Sequence, residues 1–131
     1  MQCILFIYLI FRLLKFMKKI SVLVPTYNEE DNVIAISEEL IKLLAPLNYD
    51  YEILFIDNNS KDNTRNILIK LCNDNKNIKA IFNAKNFGFS RSIFYGLTQT
   101  TGDCAILIFA DMQEPPNMIL DFIKEWENGY K

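Results

Sequence analysis

Four short apolar segments rich in β-branched residues alternate along the chain with four longer segments whose apolar residues recur every three or four positions. The first pattern predicts buried β-strands and the second predicts amphipathic α-helices. The predicted strands are Ile20–Val24, Tyr51–Ile56, Ile78–Phe82 and Cys104–Phe109. The predicted helices are Asp31–Ala45, Asn63–Asn73, Ser90–Thr100 and Asn117–Glu127. Because the strands are apolar on both faces and each is followed by a helix, we expect an α/β fold: a Rossmann-like, doubly wound, mostly parallel sheet.

The composition excludes several classes of function. The formal net charge of the 131 residues is −2, so the chain has no basic excess of the kind that binds nucleic acid. It contains no histidine, which excludes Ser-His and Cys-His catalysis and makes a zinc site improbable on chemical grounds. Its three cysteines, Cys3, Cys72 and Cys104, are too far apart for a zinc motif and odd in number. We therefore expect no disulfide framework and a reducing compartment, the cytoplasm.

Residues 1–16 differ in character from the rest of the chain. An uninterrupted apolar run from Cys3 to Phe11 is followed by Arg12 and Lys15. The run is shorter than the roughly 20 residues that span a bilayer, and its charges follow it, unlike those of a signal peptide. Residues 1–16 are then either a helix on a membrane surface or extra coding sequence before a true start at Met17. We favour the second interpretation, which assigns residues 17–131 to one domain.

Polar residues cluster directly after the first, second and fourth predicted strands, in residues 25–30, 57–62 and 110–114. Ligands of a parallel sheet bind beyond the carboxyl ends of its strands. Asp57 and Asp111 each follow a buried strand, where a carboxylate loses hydration unless a cation or a hydrogen-bond donor replaces the water. The oxygen atoms of Asp111 and Gln113 suit Mg²⁺ or Mn²⁺ held jointly with a phosphate.

A structural interpretation of these polar residues competes with the functional one, because Asp and Asn commonly form turns and cap helices. We expect only such roles for Ser60, Asp62 and Asn117, and Asp57 also fits an Asx-turn. Two function classes remain: a nucleotide-binding transferase whose metal neutralises a diphosphate, and a receiver-type signalling domain. The receiver needs an acidic pair after the first strand, where this chain has Pro25-Thr26-Tyr27. A glycine-rich dinucleotide turn is absent, since the first glycine is Gly88.

Four segments in order, "SVLVPTYNEEDNV", "YEILFIDNNSKDNT", "NAKNFGFSRSIFYGL" and "TTGDCAILIFADMQEPPNMI", resemble the family 2 glycosyltransferases of GT-A fold. Within that family the chain is most similar to the branch that moves a sugar from a nucleotide to a polyprenyl phosphate, such as dolichyl-phosphate mannosyltransferases and bactoprenol glucosyltransferases. The resemblance covers residues 18–131. It implies an inverting hexosyltransferase at the cytoplasmic face of a membrane, a UDP- or GDP-linked sugar as donor, and Mg²⁺ or Mn²⁺ as cofactor.

The resemblance also implies roles for residues in four loops. In the first two loops these are Pro25, Tyr27 and Glu29 in the nucleotide pocket, and Ile56, Asp57 and Asn58 at the base and ribose. In the other two they are Lys85, Asn86 and Gly88 beside the sugar nucleotide, and Ala110, Asp111 and Gln113 at the metal and diphosphate. Asp111 and Gln113 are the implied metal ligands, and Asp111 is the implied catalytic position.

The chain departs from the family pattern at three positions. Phe109 stands where the metal segment often has its first acid, Asn58 replaces the second acid of "DDGS", and Asn59 replaces the glycine. Asn59 is still compatible with a left-handed turn.

Relatives also continue into an acceptor-binding half, so this chain is expected to be the nucleotide-binding half alone, incomplete at its C-terminus. The alternative function is a non-catalytic remnant or split subunit that binds sugar nucleotide weakly at most. A membrane or a partner subunit would then complete the fold. In either case we expect an exposed apolar patch at the fourth strand and the last helix.

Overall fold

The computed structural model describes residues 18–130, and within that range four strands alternate with four helices. In chain order they are β1 Lys19–Thr26, α1 Val33–Leu44, β2 Asp50–Asp57, α2 Thr64–Asp74, β3 Ile78–Phe82, α3 Phe89–Gln99, β4 Cys104–Leu107 and α4 Met118–Glu127. Each element predicted from the sequence is present, with its ends within two residues of the prediction. Both interpretations of residues 1–16 concern a segment outside the described residues.

The four strands form one parallel sheet in the order β3-β2-β1-β4. The chain moves outward from β1 through β2 to β3 and then crosses back, so that β4 lies on the other side of β1. This reversal is a topological switch point between β1 and β4, the place where open α/β sheets bind ligands. The register pairs Thr26 at the end of β1 with Asp57 at the end of β2.

Both faces of the sheet are covered by helices, which confirms the predicted doubly wound α/β fold. Alternate residues of a strand point to opposite faces. Val22 and Phe55 belong to the larger core, which also takes in buried residues of α1, α2 and α4, whereas Leu23 and Ile56 belong to a smaller core against α3. Three helices therefore cover one face and one helix covers the other.

A buried carboxylate lies at the end of the sheet opposite the switch point. Glu52 in β2 is 1% exposed. Its Oε1 accepts hydrogen bonds from Ser21 Oγ at 2.7 Å, from Thr101 N at 2.7 Å and from Thr101 Oγ1 at 2.8 Å. Its Oε2 accepts from Lys79 Nζ at 2.6 Å and from Lys19 Nζ at 3.2 Å. The carboxylate is thus fully satisfied, and it ties β1, β2 and β3 to the turn before β4.

Two cysteines lie within the described residues, and no helix there is able to span a membrane. Cys72 and Cys104 are free thiols that pack partly buried against the larger core, and burial raises the pKa of both. From Lys18 to Tyr130, no helix has the length and apolar character that crossing a bilayer requires.

Candidate functional site

The loops after β1, β2 and β4 surround a cleft of about 180 Å³ at the switch point. It is lined by Pro25, Thr26, Tyr27, Glu29, Asn58, Phe89, Ser92, Phe109 and Asp111. Parallel strands bring these loops together because their carboxyl ends lie at one edge of the sheet. The cleft is therefore built in part by the three segments in which the sequence places its polar clusters, and α3 supplies Phe89 and Ser92.

The first two loops are tied together by reciprocal hydrogen bonds. The Asn28 backbone N–H donates to Ser60 Oγ at 2.9 Å, and the Lys61 N–H donates to Asn28 Oδ1 at 2.8 Å. The Glu29 N–H donates to Thr64 Oγ1 at 2.8 Å. These bonds fix the backbone that follows Tyr27, whose side chain remains 45% exposed beside the cleft.

Each of the three loops contains one residue with a positive φ: Asn28 at 57°, Asn59 at 65° and Met112 at 53°. Asparagine tolerates this left-handed region, as was expected for Asn59 in place of the family's glycine. For Met112 the positive φ is unfavourable, because its apolar side chain cannot form the local hydrogen bonds that stabilise this conformation in asparagine. Strained backbone of this kind concentrates at ligand-binding loops.

Asp57 is buried, at 1% exposure, and its carboxylate is held by neutral donors. Oδ2 accepts from the Ser60 N–H at 3.1 Å, and Oδ1 accepts from the Ser60 hydroxyl and, at 3.4 Å, from Thr26 Oγ1. The bond to the backbone three residues ahead makes Asp57 a turn residue, as the structural interpretation held. Asp57 does not line the cleft but lies directly beneath the loop that does.

Asn58 is the centre of a network of amide side chains beside the cleft. Its Oδ1 accepts from Asn83 Nδ2 at 3.1 Å and from the Phe87 N–H at 3.0 Å, while its Nδ2 donates to Asn86 Oδ1 at 2.9 Å. Asn83 Nδ2 also donates to Ser92 Oγ at 3.0 Å. The network joins the ends of β2 and β3 to the loop before α3, and it fixes the orientation of the Asn58 amide.

Asp111 lies at the cleft with most of its hydrogen-bonding capacity unused. Its side chain is exposed, and the bond recorded for its carboxylate is one from the Gln113 N–H to Oδ1 at 3.2 Å. Within residues 18–130 no three His, Cys, Asp or Glu residues come together as a metal-binding group. This donor set fits a hard divalent cation bound by one carboxylate and by the phosphate oxygens of a ligand, the way Mg²⁺ is usually held.

Two aromatic residues form a wall of the cleft that the sequence did not predict. Phe109 and Phe89 stack with ring centroids 5.7 Å apart and ring planes 25° apart. The resemblance described above implies an acid at this position, and in this chain an aromatic ring takes its place. Ser92 was missed because it lies inside the predicted helix, whereas Phe89 and Thr26 lie just outside the predicted helix and strand and were assigned no role.

The structure brings five of the sequence-predicted residues to the cleft: Pro25, Tyr27, Glu29, Asn58 and Asp111. Others do not line it. Ile56 and Ala110 are buried in the two cores, at 0% and 2% exposure, so their side chains are not free to contact a ligand. The exposed residues Lys85, Gly88 and Gln113 lie in the flanking loops, with Lys85 Nζ 5.2 Å from the centroid of the Phe87 ring.

Comparison with known proteins identifies relatives of this chain. A sequence model of Glycosyl transferase family 2 matches residues 21–131. The chain is 36% identical over 114 residues to the undecaprenyl-phosphate 4-deoxy-4-formamido-L-arabinose transferase of Photorhabdus laumondii, covering 86% of this chain and 35% of that protein. The chain spans about a third of the length of the curated relatives it matches.

Solved structures resemble the same part of the chain. Residues 1–349 of S. aureus TarS in complex with UDP-GlcNAc superpose with a TM-score of 0.58 and 30% identity, covering 82% of this chain and 31% of that one. The mannosyltransferase PcManGT from Pyrobaculum calidifontis, in complex with GDP-Man and Mn²⁺, gives a TM-score of 0.63 at 21% identity, covering 85% and 32%. The second likeness concerns the fold alone.

Proposed function

This chain belongs to glycosyltransferase family 2, and on that basis we propose that its cleft binds the nucleoside diphosphate of a sugar donor. The observation that carries the proposal is the convergence of Tyr27, Asn58 and Asp111 on one cleft at the switch point. An exposed aromatic ring, an oriented amide and a carboxylate with spare oxygens are suited to a base, a ribose and a cation-bound diphosphate respectively. We propose residues 17–131 as the domain that carries this function.

The side chains of the cleft would each take one part of the donor. Tyr27 offers a face for the base, and Asn58 is held ready to hydrogen-bond the ribose because its amide is fixed by Asn83 and Phe87. Asp57 supports the Asn58 loop from below through Ser60. Asp111, with Gln113 next to it, would hold Mg²⁺ or Mn²⁺, which neutralises the leaving diphosphate and so lowers the cost of breaking the sugar–phosphate bond.

For the acceptor we propose a polyprenyl phosphate, supported by the name of the undecaprenyl-phosphate transferase to which this chain is 36% identical. A phosphate oxygen that attacks the anomeric carbon from the face opposite the leaving group gives inversion. Such an oxygen is already ionised at neutral pH and needs no general base, which is compatible with a chain that lacks histidine. With a lipid-linked acceptor, we propose that the reaction takes place at a membrane, on its cytoplasmic face as the family resemblance implies.

A second candidate is a domain that binds a donor without transferring the sugar, alone or as a subunit of a larger assembly. Phe109 in place of the first acid favours it, because one carboxylate remains to hold the cation. The chain also spans about a third of its relatives' length. Under this second candidate, sugar transfer requires a protein that also contains an acceptor-binding part.

Titration calorimetry of the folded chain with UDP-GlcNAc and GDP-mannose, each with and without Mn²⁺, tests the proposal. We expect binding that Mn²⁺ strengthens, and we expect Asp111→Asn to abolish that strengthening. Glu114→Gln removes an exposed acid of the same loop that does not line the cleft, and it should leave binding unchanged.

Failure of both donors to bind folded wild-type protein in the presence of Mn²⁺ would overturn the proposed function. Donor binding without transfer of labelled sugar to a short polyprenyl phosphate would favour the second candidate over the first.

A further inference from the structure

The network of amide side chains around Asn58 has a fixed direction, which two backbone N–H groups set. The Phe87 N–H donates to Asn58 Oδ1 at 3.0 Å, and the Gly88 N–H donates to Asn86 Oδ1 at 2.8 Å. A backbone N–H donates and never accepts, so each contact requires the oxygen of the amide, and not its nitrogen, at that place. Turning either amide over would set one N–H against another. The backbone therefore determines the orientation of both amides.

The side chain of Asn58 has one hydrogen-bonding group left for a ligand. Its oxygen has two lone pairs, and these accept from the Phe87 N–H and, at 3.1 Å, from Asn83 Nδ2. Its nitrogen carries two hydrogens, one of which is donated to Asn86 Oδ1 at 2.9 Å. Among residues 18–130 the second hydrogen has no acceptor. What Asn58 can offer is thus one N–H donor and no acceptor.

Asn83 holds this arrangement in place from below. Its Nδ2 donates to Asn58 Oδ1 and, at 3.0 Å, to Ser92 Oγ, and its backbone N–H donates to the Asp57 carbonyl at 2.9 Å. Asn58 and Asn83 are 7% and 9% exposed, so water competes little for these bonds. An Asn58 amide that turned over to accept from a ligand would lose both bonds to its oxygen and leave buried donors unpaired.

We propose that Asn58 recognises the sugar nucleotide as a hydrogen-bond donor, through the second hydrogen of Nδ2. Its partner is an acceptor oxygen of the nucleoside, either a ribose hydroxyl oxygen or a carbonyl oxygen of the base. This inference rests on the proposed function, because Asn58 lines the cleft to which that function assigns the nucleotide. The acid that the family resemblance implies at this position would offer acceptors alone, so Asn58 reverses the direction of the available hydrogen bond.

Heteronuclear NMR of the nitrogen-labelled full chain, titrated with UDP and with GDP in the presence of Mg²⁺, observes this hydrogen directly. The Asn58 Nδ2 signals are the pair missing from Asn58→Asp, which keeps an oxygen toward Asn83 and Phe87 but has no side-chain N–H. We expect the bound nucleotide to move one Asn58 hydrogen downfield and to slow its exchange with water about tenfold or more. The other hydrogen, already bonded to Asn86, should change little.

The matched control is the side-chain amide of Asn66, which donates to Asn63 Oδ1 on an exposed part of the chain that does not line the cleft. Its signals, identified with Asn66→Asp, should not respond to either nucleotide. A nucleotide that shifts other signals of the cleft but leaves both Asn58 hydrogens unchanged would overturn the inference and leave the proposed function standing. A folded chain that responds to neither nucleotide would overturn the proposed function and the inference with it.

Analogues of the nucleotide that binds identify the oxygen. The 2′-deoxy and 3′-deoxy analogues each remove one ribose hydroxyl, and analogues with sulfur in place of a carbonyl oxygen weaken one acceptor of the base. The analogue without the partner of Asn58 should bind several-fold more weakly and leave the Asn58 hydrogen at its ligand-free position. If the shift persists with every analogue, the assignment to a nucleoside oxygen is wrong.

Discussion

Replacing Glu52 by glutamine removes one charge from the buried network at the amino end of the sheet and keeps the shape of the side chain. The Glu52 carboxylate is the acceptor in all five of its hydrogen bonds. An amide cannot satisfy this set, because it has a single acceptor oxygen. That oxygen will face Ser21 and Thr101, since the Thr101 backbone N–H cannot be turned into an acceptor. The amide nitrogen is then left facing the two lysine ammonium groups.

The expected loss in the free energy of unfolding depends on whether each lysine ammonium group can reach water once the carboxylate is gone. The Lys19 and Lys79 side chains are 24% and 48% exposed, so both can turn toward water and neither charge is stranded. Their partly screened bonds to a buried carboxylate contribute less than two fully buried charge-assisted bonds would. We therefore expect Glu52→Gln to cost about 2 kcal/mol. Glu52→Ala should cost about 3–5 kcal/mol because it also leaves the Ser21 hydroxyl and the Thr101 N–H unpaired.

The loss should depend on pH in a defined direction. Burial raises the pKa of Glu52, but the hydrogen bonds from Lys79, Ser21 and Thr101 outweigh it and hold that pKa well below the ordinary value of 4.5. Above pH 4.5 the side chain is ionised in both folded and unfolded protein, and its stabilising contribution is complete. Below that pH the unfolded chain takes up a proton that the folded chain does not, so the contribution falls as the pH falls.

Urea unfolding followed by circular dichroism, repeated from about pH 7 to about pH 3, measures both the size and the pH dependence of the effect. The difference between wild type and Glu52→Gln should be constant near neutrality and shrink below pH 4.5. Glu38→Gln removes an exposed acid of α1 as a matched control and should change stability by less than about 0.5 kcal/mol. A Glu52→Gln variant as stable as this control, or a loss that grows in acid, would refute the reasoning.

Three further substitutions test other parts of the fold. Gly102→Ala would put a Cβ 2.8 Å from the Lys19 carbonyl oxygen and 2.7 Å from Ser21 Oγ, so the turn must shift, and urea unfolding should show a loss of about 1–3 kcal/mol. Leu68→Ala empties a fully buried position of the larger core and should cost about 2–5 kcal/mol with an unchanged m-value. Asn83→Ala removes the donor that orients Asn58, so calorimetry should show several-fold weaker donor binding, with a stability loss of only about 1 kcal/mol.

The order of the elements was predictable because it depends on local periodicity alone. A strand such as β2, which reads Tyr51-Glu52-Ile53-Leu54-Phe55, is apolar on both faces apart from its acid, and a helix such as α4 carries one apolar stripe. The end of β4 was predicted two residues too late, at Phe109 rather than Leu107. The apolar run does continue to Phe109, but that ring stacks on Phe89 at the cleft instead of extending the strand.

The candidate site was predictable only in part, for a reason that the strand order makes clear. The loops of Tyr27, Asn58 and Asp111 could be found because each follows a strand, and the carboxyl ends of parallel strands meet. Tyr27 and Asn58 themselves were singled out by the family resemblance. Phe89 and Ser92 come from the start of a helix, and nothing in their helical pattern says that α3 packs on β1 and β2, beside the strand ends that form the cleft. The partners of Glu52 were hidden for the same reason, since they lie in strands and a turn that become neighbours only in the order β3-β2-β1-β4.

Carboxylates at the two ends of the sheet have different surroundings, and this contrast supports the proposal that the end beyond β1, β2 and β4 binds a ligand. Glu52 is saturated by five donors, two of them cationic, so it has nothing to offer a ligand. Asp57 is as deeply buried but is held by neutral donors, and Asp111 receives one backbone hydrogen bond. Within residues 18–130 neither Asp57 nor Asp111 has a salt-bridge partner. A cation bound at Asp111 would supply the counter-charge that this end of the sheet lacks among the described residues.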